Sequence, residues 1–177
     1  MQRYNIAILP IDTALTDKIT HISRQYFLET QDEYILGDNG LPHVTLCQFK
    51  TETSEQARAI YAEFAAQERD DEISVTLEKF HARAGKYINA GKFIAEYKAA
   101  QEAALIAMQV RCAKILSAHG IETLTPVETY SPHITLARLS SMPDAMPTSH
   151  DLEMPFTLRM KLALGLSTEA GVFVKPL

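Results

Sequence analysis

The feature that most constrains this chain is a repeated pentapeptide, Pro-His-apolar-Thr-Leu. It occurs as "PHVTL" at residues 42–46 and as "PHITL" at residues 132–136, once in each half of a chain of 177 residues. A motif that recurs at matching places of two halves indicates that a whole folding unit is duplicated. The segments around the two copies should then occur in the same order.

The elements predicted around each copy do share one order: an apolar strand, an amphipathic helix, a polar loop, the strand that begins with the histidine, a connection and a long alternating strand. In the first half we predict these elements at residues 4–11, from Thr13 or Thr16 to about Leu28, and at 37–42, 43–49, 54–68 and 72–84. In the second half we predict them at residues 93–97, 98–120, 122–132, 133–139, 140–155 and 156–166, with a last strand at 171–177. The first connection is a helix capped by Ser54 and the second is Pro-rich. Two such units are expected to face each other about an approximate two-fold axis, with both motifs at one shared cleft.

Length and composition are those of one globular domain, with 46% apolar and 22% charged residues. We expect one lobe at about residues 1–91 and the other at about 92–177, with strands that can be exchanged between them. The net charge of −5 disfavours a broad surface that grips duplex DNA, because such surfaces carry a basic face. It still allows a small basic pocket for a nucleotide or an RNA end.

Location is indicated by several absences in the sequence. No apolar run approaches the roughly 18 residues of a membrane span, and "MQRYNIAILPID" is interrupted too early for a signal peptide. The two cysteines, Cys47 and Cys112, have no metal-ligand spacing and are interpreted as free thiols in a reducing compartment. We therefore expect a cytoplasmic protein that does not bind membranes.

Strand geometry places the polar residues of each motif on one face, because residues i and i+2 of a strand point the same way. His43 therefore shares a face with Thr45, and His133 with Thr135. The apolar residues between them face the helices. The same alternation places Cys47 beside Thr45, at the border of the cleft.

Two histidines that face one cleft suit general acid–base chemistry near neutral pH. An unperturbed imidazole titrates near pH 6.5, so one ring can accept a proton while the other donates one. Two threonine hydroxyls beside them can donate hydrogen bonds to an anion, and we expect a phosphate, whose charge grows in the transition state.

The motifs "PHVTL" and "PHITLAR", with the opening strand "YNIAILP", resemble the 2H phosphoesterase superfamily, in particular its branch of RNA 2′,3′-cyclic phosphodiesterases, also called 2′-5′ RNA ligase-like proteins. The resemblance covers almost the whole chain. It implies an α+β, bilobal fold whose antiparallel sheets form a concave, pseudo-symmetric cleft with helices on the outer faces. It implies metal-independent hydrolysis or transesterification of 2′,3′-cyclic or related phosphodiesters. The catalytic histidines then correspond to His43 and His133, and the phosphate-contacting hydroxyls to Thr45 and Thr135.

Four further residues are candidates for substrate contact. Tyr130, three residues before the second histidine, can stack on a base, while Arg159 and Lys161 lie on the polar face of a long strand. Arg138 is a possible phosphate partner, but strict alternation turns it away from the cleft unless a bulge or twist intervenes.

Three functions are compatible with these residues. The first is a cyclic phosphodiesterase that acts as a monomer on nucleotides or RNA ends, without a cofactor or metal. The second is a non-catalytic module that binds a nucleotide in the same cleft. The third is a metalloprotein that uses His43 and His133, although no third ligand is clustered in either motif.

Overall fold

The computed structural model of the chain describes residues 1–38, 40–68, 72–86 and 89–177. The strands in this part of the chain are β1 (Gln2–Pro10), β2 (Gln31–Ile35), β3 (Val44–Thr51), β4 (Ile73–Ala84), β5 (Phe93–Ala99), β6 (His133–Leu139), β7 (Phe156–Ser167) and β8 (Phe173–Pro176). The helices are α1 (Thr13–Phe27), α2 (Ser54–Ala65) and α3 (Ala103–Ala118).

The strands form one antiparallel sheet in the order β2-β6-β5-β4-β7-β1-β3, and β8 pairs with the end of β7. The predicted α+β class with antiparallel strands is thus confirmed. The two halves of the chain form one continuous sheet, because the first half of β4 pairs with the first half of β7, from Ile73 opposite Met160 to Leu77 opposite Phe156.

The strand order is symmetric about this seam. On one side the order is β6-β5-β4, and on the other it is β3-β1-β7. Each histidine-bearing strand therefore flanks the first strand of its own half, and that first strand flanks the long strand of the opposite half. This arrangement brings β3 and β6, the carriers of the two motifs, to equivalent places in the sheet.

Helices cover the back of both motif strands. Helix α1 packs on β6 and β2, while α3 packs on β3 and α2 lies against α3. The apolar residues of the two motifs, Val44, Leu46, Ile134 and Leu136, are fully buried in this layer. Burial of such side chains is the main stabilising contribution, and it leaves the opposite face of each motif strand available for polar residues.

The helix predicted at 98–120 begins later, at Ala103. Lys98 and Ala99 instead extend β5, and the amide of Ala99 donates to the Pro132 carbonyl at 3.0 Å. The next amide, of Ala100, donates to the Thr76 carbonyl at 2.8 Å. These long-range hydrogen bonds override the helix propensity of an alanine-rich segment.

The cap residues also differ from those predicted. Asp12, rather than Thr13 or Thr16, caps α1 by accepting a hydrogen bond from the Leu15 amide, and Thr53, rather than Ser54, caps α2. Either type of residue satisfies a free amide at the helix start. In the part of the chain that the structure describes, no helix is long and apolar enough to cross a membrane.

Candidate active site

A cavity of about 740 Å³ lies in front of β3 and β6, and residues of both halves of the chain line it. His43 and Thr45 line it from β3 and the loop before it, and His133 and Thr135 line it from β6. The structure therefore brings together the four residues of the two motifs, as alternation on each strand predicts.

Both histidines are held in the same way. The Nδ1–H of His43 donates to the Leu41 carbonyl at 2.7 Å, and the Nδ1–H of His133 donates to the Ser131 carbonyl at 2.7 Å. In each case the acceptor lies two residues earlier in the chain. This bond orients the ring and leaves Nε2 as the nitrogen that exchanges protons with a ligand.

The first threonine is held by two neighbours. Asn5 Nδ2 donates to the Thr45 hydroxyl oxygen at 3.0 Å, so the hydroxyl proton is free to be donated to a ligand. The Tyr130 hydroxyl donates to the Thr45 backbone carbonyl at 2.8 Å. Tyr130 thus lines the cavity, but its hydroxyl is occupied by this hydrogen bond to the backbone of β3.

A β-bulge comes directly after the threonine in both motif strands. Thr45 lies opposite Ala7 and Cys47 opposite Ile6, so Leu46 has no partner across the ladder. In the same way Thr135 lies opposite Glu96 and Ala137 opposite Ala95, which leaves Leu136 as the extra residue. An extra residue reverses the alternation of the later side chains of the strand.

The bulges correct two expectations from strict alternation. Arg138 faces the cavity rather than the back of the sheet, and Gln48 occupies the matching position on β3. Cys47 does not border the cleft, since it is fully buried and its Sγ lies 3.8 Å from the Gln109 carbonyl on α3. Arg138 is fixed by a hydrogen bond to the Ala170 carbonyl at 2.6 Å.

The two basic candidates on β7 lie elsewhere. Neither Arg159 nor Lys161 lines the cavity. The Arg159 side chain is 66% exposed and pairs with Glu72 at 3.2 Å. The polar face of β7 was predicted correctly, but this stretch of the strand lies away from the two motifs.

The cavity is basic although the whole chain is acidic. Among the described residues that line it, one is acidic, Glu96, and six are Lys or Arg: Arg3, Lys50, Arg83, Lys86, Lys98 and Arg138. Positive charge in a concave site attracts and concentrates anions. Basic residues outside the two motifs therefore make the cavity positive. Of these residues, the sequence predicted only Arg138 as a candidate for phosphate contact.

The two imidazoles differ in their surroundings. His43 is 9% exposed, and burial lowers its pKa from 6.5 to about 4, with the charge of His133 acting in the same direction. The hydrogen bond to the Leu41 carbonyl opposes this shift only in part. The His133 side chain is 30% exposed, and its Nε2 lies 3.7 Å from an oxygen of Glu96. His43 is therefore neutral near pH 7.

The polar groups that the two motifs supply are imidazole nitrogens and threonine hydroxyls. Among the residues that the structure describes, no group of three or more His, Cys, Asp or Glu side chains is arranged to hold a metal ion. The chemistry that these groups offer is proton transfer by two imidazoles and hydrogen bonding of an anion by hydroxyls and cations.

Solved structures share this fold over nearly the whole chain, although no protein-family model and no curated protein matches the sequence. A structure described as a phosphoesterase has a TM-score of 0.69 at 19% identity, with 99% of this chain and 95% of that chain covered.

Two further structures give the same result. LigT of E. coli, solved with 3′-AMP, has a TM-score of 0.64 at 19% identity and the same coverage of 99% and 95%; it was also solved with ATP and with NADP+. The PDE domain of MHV ns2 has a TM-score of 0.58 at 15% identity, with 94% and 97% covered. The predicted resemblance is thus confirmed at the level of the fold.

Proposed function

We propose that this chain is a 2H phosphoesterase that opens 2′,3′-cyclic phosphates, or related cyclic or 2′-5′ phosphodiesters, on nucleotides or RNA ends. One observation carries the proposal: two His-Thr pairs, one from each half, line a single basic cavity, and both histidines are anchored through Nδ1 with Nε2 free. The proposed location is the cytoplasm, where buried free thiols such as Cys47 and Cys112 persist.

In this reaction a phosphate lies between the two imidazoles. One Nε2 accepts a proton from water as the water oxygen bonds to phosphorus, and the other gives a proton to the ribose oxygen as its bond to phosphorus breaks. The hydroxyls of Thr45 and Thr135 donate to the non-bridging oxygens, whose charge grows in the transition state. Arg138 supports the same charge from the position after the bulge.

Support for a nucleotide substrate comes from the size and charge of the cavity. About 740 Å³ accommodates a ligand of nucleotide size, and LigT, which has this fold, was solved with three nucleotides. A non-catalytic nucleotide-binding module would use the same surface, so turnover is the property that separates the two functions.

Hydrolysis of 2′,3′-cyclic CMP in the presence and absence of excess chelator tests the proposal. We expect the wild type to turn over fully with chelator, and His43→Ala and His133→Ala each to lose about 10²- to 10⁴-fold in kcat. His150→Ala, on an exposed loop, is the matched control and should keep wild-type activity.

Two results would contradict the proposal. Saturable binding of cytidine phosphates without turnover of any cyclic substrate would identify a binding module. Activity that is lost with chelator and restored by zinc would identify the metalloprotein.

A further inference from the structure

Among the described residues that line the basic cavity, Glu96 is the acidic one, and it is almost completely buried, with 1% of its side chain exposed. Arg83 Nε donates to both of its carboxylate oxygens at 3.1 Å, and His81 Nδ1 lies 3.3 Å from one of them. Burial alone would raise the pKa of Glu96, but the charges of His133 and Arg83 outweigh it and hold that pKa below its ordinary value. The carboxylate is therefore charged near neutral pH.

The carboxylate lies beside only one of the two histidines. Its distance of 3.7 Å from His133 Nε2 is too long for a hydrogen bond, but Coulomb attraction between opposite charges is strong at this range in a partly buried site. Glu96 thus lies close enough to attract positive charge on the His133 ring without accepting a hydrogen bond from Nε2. A proton on Nε2 can therefore be presented to a ligand.

The internal symmetry of the sheet shows that this carboxylate is specific to one half. Glu96 on β5 pairs with Thr135 immediately before the bulge of β6. The equivalent residue on β1, which pairs with Thr45 immediately before the bulge of β3, is Ala7. An alanine supplies no charge, so His43 has no carboxylate at the place where His133 has one.

Other charged groups also surround His133. Lys98 lies opposite it on β5 and carries a positive charge, whereas His43, which lines the same cavity from the first half, is neutral near pH 7. Arg83 and His81 of β4 contact the carboxylate of Glu96. The carboxylate is therefore the favourable charge that acts on this ring.

We propose that Glu96 is a positioning residue that gives the two histidines different roles: it holds His133 as the general acid and leaves His43, opposite Ala7, as the general base. This inference rests on the proposed function. Water then loses its proton to His43 Nε2 as its oxygen bonds to phosphorus. His133 Nε2 gives its proton to the ribose oxygen as the bond from that oxygen to phosphorus breaks.

The alternative is a purely structural Glu96. It lies opposite His81 in the β4–β5 ladder, and such cross-strand pairs stabilise sheets. A structural role would make any loss of activity independent of the leaving group of the substrate. The two roles can therefore be separated by changing that group.

The test compares Glu96→Gln on two diesters. Opening 2′,3′-cyclic CMP expels a ribose oxygen that needs a proton, whereas bis(4-nitrophenyl) phosphate expels 4-nitrophenolate, which does not. We expect Glu96→Gln to lose about 10- to 100-fold in kcat on the cyclic nucleotide and less than about threefold on the nitrophenyl ester. His133→Ala should show the same contrast, and His43→Ala should lose activity on both.

The matched control is Glu63→Gln, which removes a carboxylate 2.8 Å from His119 on the surface, away from the cavity. It should match the wild type on both substrates. The pH profile supplies a second readout: the falling limb at high pH should move to lower pH in Glu96→Gln. Equal losses on both esters, with an unchanged limb, would overturn the role of Glu96.

Failure of the proposed function would be seen differently, as a wild type without turnover of the cyclic nucleotide. The inference about Glu96 is then decided by ¹⁵N NMR of the histidine side chains, which distinguishes imidazolium from imidazole. We expect a larger imidazolium fraction for His133 in the wild type than in Glu96→Gln at the same pH. Equal fractions would refute it.

Discussion

His43 is buried as a neutral ring, and its ionisation is therefore linked to folding. Its pKa in the folded state is about 4 against an ordinary value of 6.5. Between these pH values the unfolded chain binds a proton at this position and the folded chain does not. Stability from this group is thus complete above about pH 6.5 and is lost as the pH falls to 4.

We predict that His43→Gln, which cannot titrate, flattens the loss of stability in acid. Relative to the wild type, the variant should gain about 3 kcal/mol in unfolding free energy between pH 7 and pH 4. Urea unfolding of both proteins at several pH values measures this difference. A difference that stays constant with pH would show that the buried ring is not the cause.

Residues of the motifs were accessible to prediction from the sequence because strand alternation alone brings them to one face. The roles of Glu96 and Ala7 could not be predicted from the sequence, because they depend on which strand pairs with each motif strand. Tyr130 lines the cavity as predicted for a contact residue, but its hydrogen bond to the Thr45 carbonyl could not be inferred from its position in the chain.

At the scale of elements, the two bulges set the direction of the side chains beyond each motif. Their signal is present in the sequence: polar residues fall at 43, 45 and 48 and at 133, 135 and 138, a step of three after a step of two. The two residues between, Leu46 with Cys47 and Leu136 with Ala137, are both apolar. A strict period of two misses this change, whereas a strand with one extra residue explains it.

Strand β2 (Gln31–Ile35) was not predicted because its first three residues are polar. Its last two residues, Tyr34 and Ile35, are buried at the edge of the sheet. Glu33, directly before them, has φ of 66°, an uncommon conformation for a residue other than glycine. Pairing with β6, rather than local propensity, determines this strand.

The bulge on β6 predicts a function for Arg138 that Arg159 should lack. Arg138→Gln, which copies Gln48 at the matching position of the other half, removes a cation from the cavity. We expect about a 10-fold increase in the Kd for cytidine 2′-phosphate, as for loss of one charged hydrogen bond. Isothermal titration calorimetry measures this increase.

Arg159→Gln is the matched control, because its side chain lies outside the cavity and pairs with Glu72. It should change the Kd by less than about twofold. Similar effects of the two substitutions would mean that the sheet surface as a whole, and not the bulge-directed cation, attracts the ligand.

At the scale of the molecule, the duplicated order of elements could be predicted from the sequence, whereas the pairing of β4 with β7 that joins the two halves could not. Hydrophobic patterns predict β4 and β7 as long strands. No local feature of the sequence indicates that each of them pairs with the first strand of the opposite half. Long-range pairing is a property of the assembled sheet. The shared cavity depends on this pairing, since β4 and β7 join the two halves of the sheet between the two motif strands.

The distribution of charge over the whole molecule leads to the last prediction. Positive charge is concentrated in the cavity, whereas the chain as a whole carries −5. A long RNA should therefore gain little from nucleotides beyond the cavity, because counterion release grows only with the number of phosphates contacted. We expect a dinucleotide and a 20-nucleotide RNA with the same 2′,3′-cyclic end to bind the His43→Ala variant with Kd values within about threefold.

The salt dependence of binding is the sharper measurement. The slope of log K against log salt should be the same for both lengths, since each contacted phosphate adds roughly 0.7 to it for single strands. The control is the same 20-nucleotide RNA with a 3′-hydroxyl end, which should bind much more weakly because it lacks the terminal cyclic phosphate that the cavity binds. A slope that increases with RNA length would reveal a basic track outside the cavity and would extend the substrate from an RNA end to the body of the RNA.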